Sequence, residues 1–383
     1  MLGNPILSDP FDIIIVGAGI VGAACARECA RGGMRVLVLD RGPVSGGTTG
    51  AGMGHIVVMD DSEAQFALTR YSRELWLELR PQLPDDVEYE ICGTLWVAAD
   101  EEEMAEVRRK QAFYTDRGVK VEVLDDVGVT KAEPNLRKGM AGGLRVVDDG
   151  VLYPPCATRY LLAEAQKHGA ELRTNTSVRG LLAEGGALLE DGTRIPAGRA
   201  INAAGPWSPA LTPGLPVRKR KGHLVITDRA PGFARHQIIE LGYLKSAHSM
   251  GKDSVAFNIQ PRQTGQMLIG SSRQFVAEGT EVDQAILDRM LRRAIEYMPA
   301  LGNLAATRVW AGHRPATPDK LPIIGPSTHN DRIWLATGHE GLGITTALGT
   351  GRLIADLLLG RTPGISAAPY LPSRFTEGAA HHE

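Results

Sequence analysis

Residues 11–41, FDIIIVGAGIVGAACARECARGGMRVLVLDR, constrain this chain more than any other stretch. The aliphatic and β-branched run at 12–16 reads as a strand. It stops at Gly17-Ala18-Gly19-Ile20-Val21-Gly22, and the alanine-rich amphipathic segment 23–31 reads as a helix. Gly32-Gly33 breaks that helix, and a second apolar run, 34–39, ends on Asp40. This is a βαβ unit carrying a dinucleotide fingerprint, and each part has a physical task. Gly17 permits the tight turn, Gly19 lets backbone approach a pyrophosphate, and Gly22 lets helix and strand pack closely. The helix's free N–H groups and positive pole face the phosphates. Asp40, 18 residues past Gly22, is placed to accept hydrogen bonds from an adenosine ribose. A glycine motif alone is weak. An ordinary glycine-rich turn, however, does not account for the acid that ends the next strand.

The 383 residues suffice for two or three domains with a sizeable core. At 43% hydrophobic and 22% charged, the composition is that of a soluble globular protein. A net charge of −2 gives no electrostatic basis for binding nucleic acid. The one basic run, Arg218-Lys219-Arg220-Lys221, reads as a solvated strand edge. The four cysteines (Cys25, Cys29, Cys92, Cys156) form no CxxC pair and no metal spacing, and they suit a reducing compartment. The opening MLGNPILSDP does not resemble an export signal, and no apolar run approaches the ~20 residues of a spanning helix. The expected location is cytoplasmic, with peripheral contact at the inner face of a membrane left open.

Beyond Arg41, five glycines lie between Gly46 and Gly54, interleaved with Thr48 and Thr49. Such backbone suits a segment that wraps closely around a ligand. Residues 62–80 have helical spacing and end at Pro81; 86–99 reads as a strand pair turning near Gly93; 101–117 reads as a charged helix, followed by a strand at 119–124. After 151 come a proline-initiated helix, a strand ending near Val178, and another strand at 195–204 running into Asn202-Ala203-Ala204-Gly205-Pro206-Trp207. Residues 217–275 alternate in short pieces, as in an antiparallel sheet, and 282–298 is a helix stopped by Pro299. The last third holds strands at 307–311 and 332–336, then Thr337-Gly338-His339-Glu340-Gly341-Leu342-Gly343 opening a helix through Leu359.

Three glycine-rich turns, near Gly17, Gly205 and Gly338, thus each follow a strand. A nicotinamide dinucleotide needs only the first. A flavin dinucleotide, extended across the domain, has reason to use all three. Gly341 and Gly343 stand at a helix start whose positive end can stabilise negative charge on a reduced flavin ring. Close helix–sheet packing is the alternative reading of these glycines.

The stretches IIIVGAGIVGAACARECARGG, LVLDR, TTGAGMGH, NAAGPWS, GHRPATPD, PIIG, ATGHEGLGITTALGTGRLIADLL and PYLPSRF span almost the whole chain. Together they resemble the D-amino-acid oxidase family of flavoproteins, with its glycine oxidase, sarcosine oxidase and amine dehydrogenase branches. The resemblance implies mixed α/β and α+β architecture. A Rossmann-like FAD-binding domain would comprise 1–80, 145–215 and 310–383, and an inserted antiparallel β-sheet substrate domain 81–144 and 216–309. It implies that Gly17, Ala18, Gly19, Ile20, Val21 and Gly22 hold the pyrophosphate, with Asp40 and Arg41 at the ribose. Thr48, Thr49, Ala51, Gly52, Met53, Gly54 and His55 would run beside the flavin, with Val178 flanking the adenine. Ala203, Ala204, Gly205 and Trp207 would line the FAD channel, and Gly338, His339, Gly341, Leu342, Gly343, Ile344 and Thr345 would face the ring. The sarcosine-oxidase branch bonds its flavin through a cysteine near the position of Gly312; none stands here, so noncovalent FAD is expected.

Family members place an arginine at the position of Arg314 to grip a substrate carboxylate, a task suited to the planar guanidinium fork. A structural ion pair with an acid such as Asp319 is the alternative. Glycine-oxidase-like sequences carry a tyrosine where Asn258 stands here, a departure that counts against glycine as substrate. Tyr243, His55 and Asn258 itself are further candidate substrate contacts. The implied reaction is FAD-dependent dehydrogenation of a small amino acid, hydride passing from the α-carbon to flavin, with no protein acid or base assigned. GAGMGHIVVMDD and CGTLWVAADEEE look most like hydroxy-D-proline dehydrogenases, which makes D-proline or cis-4-hydroxy-D-proline the leading substrate. Alternatives are a glycine- or sarcosine-type oxidase, the catalytic β subunit of a hetero-oligomeric amino-acid or opine dehydrogenase, and a non-enzymatic flavin-binding assembly protein. Oxygen, a quinone or a partner subunit would accept the electrons, and homo- and hetero-oligomers are both compatible.

Overall fold

The computed structural model describes residues 11–242, 253–275 and 278–375. The β-branched run forms the strand Phe11–Val16, with Ile13, Ile14 and Ile15 buried on both faces. Burial on both faces is what a strand inside a parallel sheet requires. This strand lies in an eight-stranded sheet whose main path runs Ile323–Pro326, Ile333–Thr337, Arg194–Asn202, Phe11–Val16, Val36–Leu39, Glu171–Arg173. All neighbours on that path pair in parallel except the first two. A short antiparallel extension, Gly186–Leu189 with Val178–Leu181, attaches to the Arg194–Asn202 strand.

The helices Ile20–Arg31, Pro154–Lys167 and Gly343–Leu358 contribute to one apolar core with this sheet. Small residues set how closely they approach. A Cβ on Gly351 would meet the Ala24 carbonyl at 2.6 Å, so the last helix lies directly against the first. Gly349 likewise lies against Ser72 of the helix Glu63–Leu79, whose hydroxyl accepts its backbone N–H at 3.2 Å.

A second eight-stranded sheet runs Ala306–Ala316, Arg218–Arg229, Gln266–Arg273, Ser254–Pro261, Gln237–Glu240, Thr94–Ala98, Gly142–Val146, Val121–Asp125. The helix Gln284–Tyr297 packs on it, with Tyr297 stacked on Phe257 at 4.9 Å between ring centroids. The sheet is antiparallel apart from one parallel pair, Gln237–Glu240 against Thr94–Ala98. Among the described residues no helix is long and apolar enough to cross a membrane, and no group of three His, Cys, Asp or Glu residues is arranged to hold a metal.

Three local expectations change. Residues 86–99 supply one strand, not a pair, because the chain turns at Gly93 (φ +75°) and Thr94–Ala98 pairs with distant segments. The helix Asp126–Ala132, capped by the Asp125 carboxylate on the Gly128 N–H, has no apolar period strong enough to announce it. The basic run is no solvated edge: Arg218–Arg229 lies between two other strands, and Arg220 and Lys221 are buried.

The helix Glu101–Asp116 is anchored by a buried ion pair. Lys110, fully buried, donates to the Asp60 carboxylate and lies 4.6 Å from the ring of Trp96, while Arg109 also reaches Asp60 at 2.6 Å. Removing one member of a buried pair leaves the other charge poorly compensated. Lys110→Met should therefore lower the unfolding free energy by about 3 kcal/mol, Arg109 limiting the loss; chemical denaturation of the two proteins checks this.

Candidate active site

Parallel pairing aligns Val16 with Asn202 and Asn202 with Leu335, so the three glycine-rich turns emerge at one edge of the first sheet. Their backbones interlock. A Cβ on Gly17, which sits at φ +119°, would lie 2.4 Å from the Ala203 carbonyl oxygen, and one on Gly22 would lie 1.9 Å from that of Gly17. The Ala203 N–H donates to the Val16 carbonyl at 2.9 Å.

Asp40 organises the turn from below: its carboxylate accepts the Ala18 N–H at 2.6 Å and the Gly42 N–H at 2.8 Å. Remaining lone pairs stay available to ribose hydroxyls. The Thr49 hydroxyl accepts the Ile20 N–H at 3.1 Å, tying the 46–54 segment to the start of the first helix. The Thr48 hydroxyl donates to the His313 carbonyl at 2.6 Å, tying that segment to the second sheet. Arg41 lies over the Trp207 ring, 4.1 Å from its centroid.

These turns open into a cavity of about 900 Å³ lined by both sheets. Its wall takes in Gly17, Gly19, Ile20 and Val21, then Asp40, Arg41, Thr48, Thr49, Ala51, Gly52, Met53, His55 and Val178. Ala203, Ala204, Gly205 and Trp207 follow, then His339, Gly341, Leu342, Gly343 and Ile344, and from the second sheet Asn258 and Arg314. Five other expected residues stand behind the wall: Ala18, Gly22, Gly54, Gly338 and Thr345. The Thr345 hydroxyl donates to the His55 carbonyl at 2.8 Å and so positions that loop. A Cβ on Gly54 would fall 1.6 Å from the Leu152 carbonyl oxygen, so glycine there serves chain packing. Tyr243 lies outside the described residues.

Arg314 extends across Gly222, where a Cβ would touch its guanidinium at 2.3 Å, and donates to the Ser272 carbonyl at 3.0 Å. Its Cδ lies 3.9 Å from where a Cβ on Gly341 would stand, beside the start of the helix Gly343–Leu358. The alternative ion pair with Asp319 is absent; that carboxylate pairs with Arg374 at 2.6 Å. The last helix has no side-chain cap at its N-terminus, and Gly343 and Ile344 line the cavity, so its positive pole faces the same space.

Two wall histidines are neutral. Burial lowers His55 to about 4 and His339 to about 3. His339 Nε2 pairs with the Thr350 hydroxyl at 2.9 Å, whereas His55 Nε2 is buried without a partner. Asn258 Oδ1 is likewise buried and without a partner.

Sequence reasoning missed Ser45, Gly46 and Gly47 beside the first turn, and Arg220, Leu224, Ser271, Arg273 and Trp310 on the second sheet. One signal was present. Strand alternation puts Arg220, Gly222 and Leu224 on one face, and register sets Arg220 opposite Arg314 and Leu224 opposite Trp310.

The residues fit FAD. A glycine cradle that a Cβ would block, an acid beside it, an uncapped helix N-terminus and an unsatisfied buried imidazole share one cavity. None of the four cysteines lines it.

Asp40→Ala, which removes the acceptor for two backbone N–H groups, should weaken FAD binding about 10- to 100-fold; fluorescence titration of the apoprotein measures it. The two histidine pKa values lie below their unfolded value of 6.5. Between roughly pH 6.5 and 4 the unfolded chain therefore binds more protons, and stability falls as pH falls. Melting temperatures from pH 7 to 4.5 should decline less steeply for His339→Gln than for the native protein.

The chain matches the FAD dependent oxidoreductase family over residues 12–357. It is 30% identical over 378 residues to the glycine oxidase of Pseudomonas aeruginosa, an alignment covering 94% of this chain and 98% of that protein. The solved glycine oxidase of Geobacillus kaustophilus superposes with a TM-score of 0.86 at 25% identity, covering 95% of this chain and 98% of the other. The L-proline dehydrogenase of P. horikoshii superposes with a TM-score of 0.85 at 25% identity, covering 97% and 99%. The chain belongs to the FAD dependent oxidoreductase family, and FAD is its cofactor.

Proposed function

We propose that this FAD dependent oxidoreductase oxidises the Cα–N bond of a small amino acid whose carboxylate is held by Arg314. Bound FAD supplies the two-electron acceptor for that oxidation. The supporting observation is the position of Arg314: a guanidinium lining the cavity beside Gly341 and the positive pole of the last helix, while Asp319 is engaged elsewhere. A guanidinium fork matches a carboxylate in two parallel hydrogen bonds, which orients as well as binds. The Ser272 carbonyl fixes the arginine, and Ser272 is itself held, its hydroxyl accepting the His223 N–H at 2.9 Å.

On this reading the first sheet and its turns carry the cofactor, and the second sheet supplies the substrate wall. D-proline and cis-4-hydroxy-D-proline are the leading substrates. The unsatisfied Asn258 Oδ1 supports the hydroxylated ring, since a ring hydroxyl is a donor it lacks. The superposition with an L-proline dehydrogenase supports a cyclic secondary amine. A glycine- or sarcosine-type substrate is the second reading, favoured by the 30% identity to a glycine oxidase.

Anaerobic mixing of the holoprotein with D- and L-proline, cis-4-hydroxy-D-proline, glycine, sarcosine and other amino acids tests this directly. Flavin bleaching by the D-prolines is expected, bleaching by glycine or sarcosine alone would select the second reading, and no bleaching by any amino acid would overturn the proposal. Arg314→Met should raise the KM of the active amino acid about 100-fold, with Arg314→Lys recovering part of the loss.

A further inference from the structure

We propose that Glu340 is the amine-side anchor of this site, accepting a hydrogen bond from the substrate amine while Arg314 holds the carboxylate. The inference rests on the Arg314 reading and extends it to the opposite end of the amino acid. Three described carboxylates line the cavity: Asp40, Asp61 and Glu340. Asp40 stands in the dinucleotide turn with both oxygens engaged by backbone N–H groups, and Asp61 is exposed. Glu340 is different. Its side chain is 13% exposed and forms an ion pair with Arg220, itself 9% exposed. Arg220 is the cross-strand partner of Arg314, and Arg314 packs over Gly341, the residue next to Glu340. A carboxylate and the guanidinium proposed to bind the substrate carboxylate therefore line one cavity, linked through Arg220 and Gly341.

The backbone adds a second observation. Glu340 has φ +48°, in the left-handed region that favours glycine, within a turn that holds glycines at 338 and 341. A strained non-glycine residue beside a reaction site points to a task for its side chain. The chemistry of an amino acid supplies one: its ends have opposite character, so a cationic point and an anionic point fix its orientation in the cavity. The wall at Gly341 to Ile344 then gives a third contact, and three contacts distinguish one enantiomer from the other. Arg220 keeps the Glu340 carboxylate in place, leaving it further lone pairs for an N–H donor.

The alternative is that the Glu340–Arg220 pair only shapes the wall. Two ligands separate these roles: D-proline, and cyclopentanecarboxylate, which keeps the ring and carboxylate but lacks the amine. Both are titrated into holoprotein by perturbation of the flavin spectrum, anaerobically for D-proline, together with steady-state kinetics, FAD content and melting temperature. Glu340→Gln should weaken D-proline about 10- to 100-fold, leave cyclopentanecarboxylate unchanged and reduce the preference between proline enantiomers. Equal weakening of both ligands, or of neither, overturns the proposal. Should Glu340→Gln not retain FAD, Glu340→Asp carries the same comparison: selective loss of D-proline supports the anchor and equal loss overturns it. Arg314→Met reports separately, since undiminished binding of cyclopentanecarboxylate there would sink the carboxylate reading whatever Glu340 does.

Discussion

The contact between the backbones of Gly17 and Ala203 is the constraint on which the rest of this structure depends. No side chain fits between them: a Cβ on Gly17 would fall 2.4 Å from the Ala203 carbonyl. That closeness lets Phe11–Val16 and Arg194–Asn202 pair in parallel to their very ends. Parallel strands all finish at one edge of a sheet, so the loops that follow them converge there. The turn after Ile333–Thr337 joins the same edge through its pairing with Arg194–Asn202. Segments more than three hundred residues apart thereby enclose one cavity.

Charge is distributed unevenly along that cavity. At the dinucleotide end an acid, Asp40, is engaged by backbone N–H groups. Elsewhere on the wall Arg220 pairs with one carboxylate, Glu340, while Arg314 and the uncapped start of the last helix line the same cavity. His55 and His339 carry no charge near neutral pH, because burial disfavours the imidazolium. The site thus favours anionic groups wherever protein dipoles and cations converge, and water exclusion strengthens each such contact.

Most of the first sheet was legible in the chain itself. The IIIV run, the three glycine turns and Asp40 are local signals, each set by steric limits on a few consecutive residues. Arg314 was legible only through the resemblance of its surrounding stretch. Arg220 was misread: a run of four basic residues looks like a solvated edge, because sequence does not say whether a strand has one neighbour or two. Asn258 stands in the sequence as a departure from a tyrosine and a candidate substrate contact; that its side-chain oxygen is buried and unsatisfied beside the cavity is visible only in the structure. Thr345 shows the reverse case, a residue in a site motif whose hydroxyl serves a loop instead.

By itself the sequence determined that a dinucleotide turn forms, because only glycine satisfies its backbone geometry at Gly17 and only a nearby acid completes it. It also determined the family, since the motifs lie along nearly the whole chain. Only the tertiary structure decided which charges meet. Cross-strand register sets Arg220 beside Arg314, and the turn before the last helix brings Glu340 to Arg220. Register and strand order depend on pairings between distant segments, and no local pattern of residues encodes the distance between two side chains hundreds of positions apart.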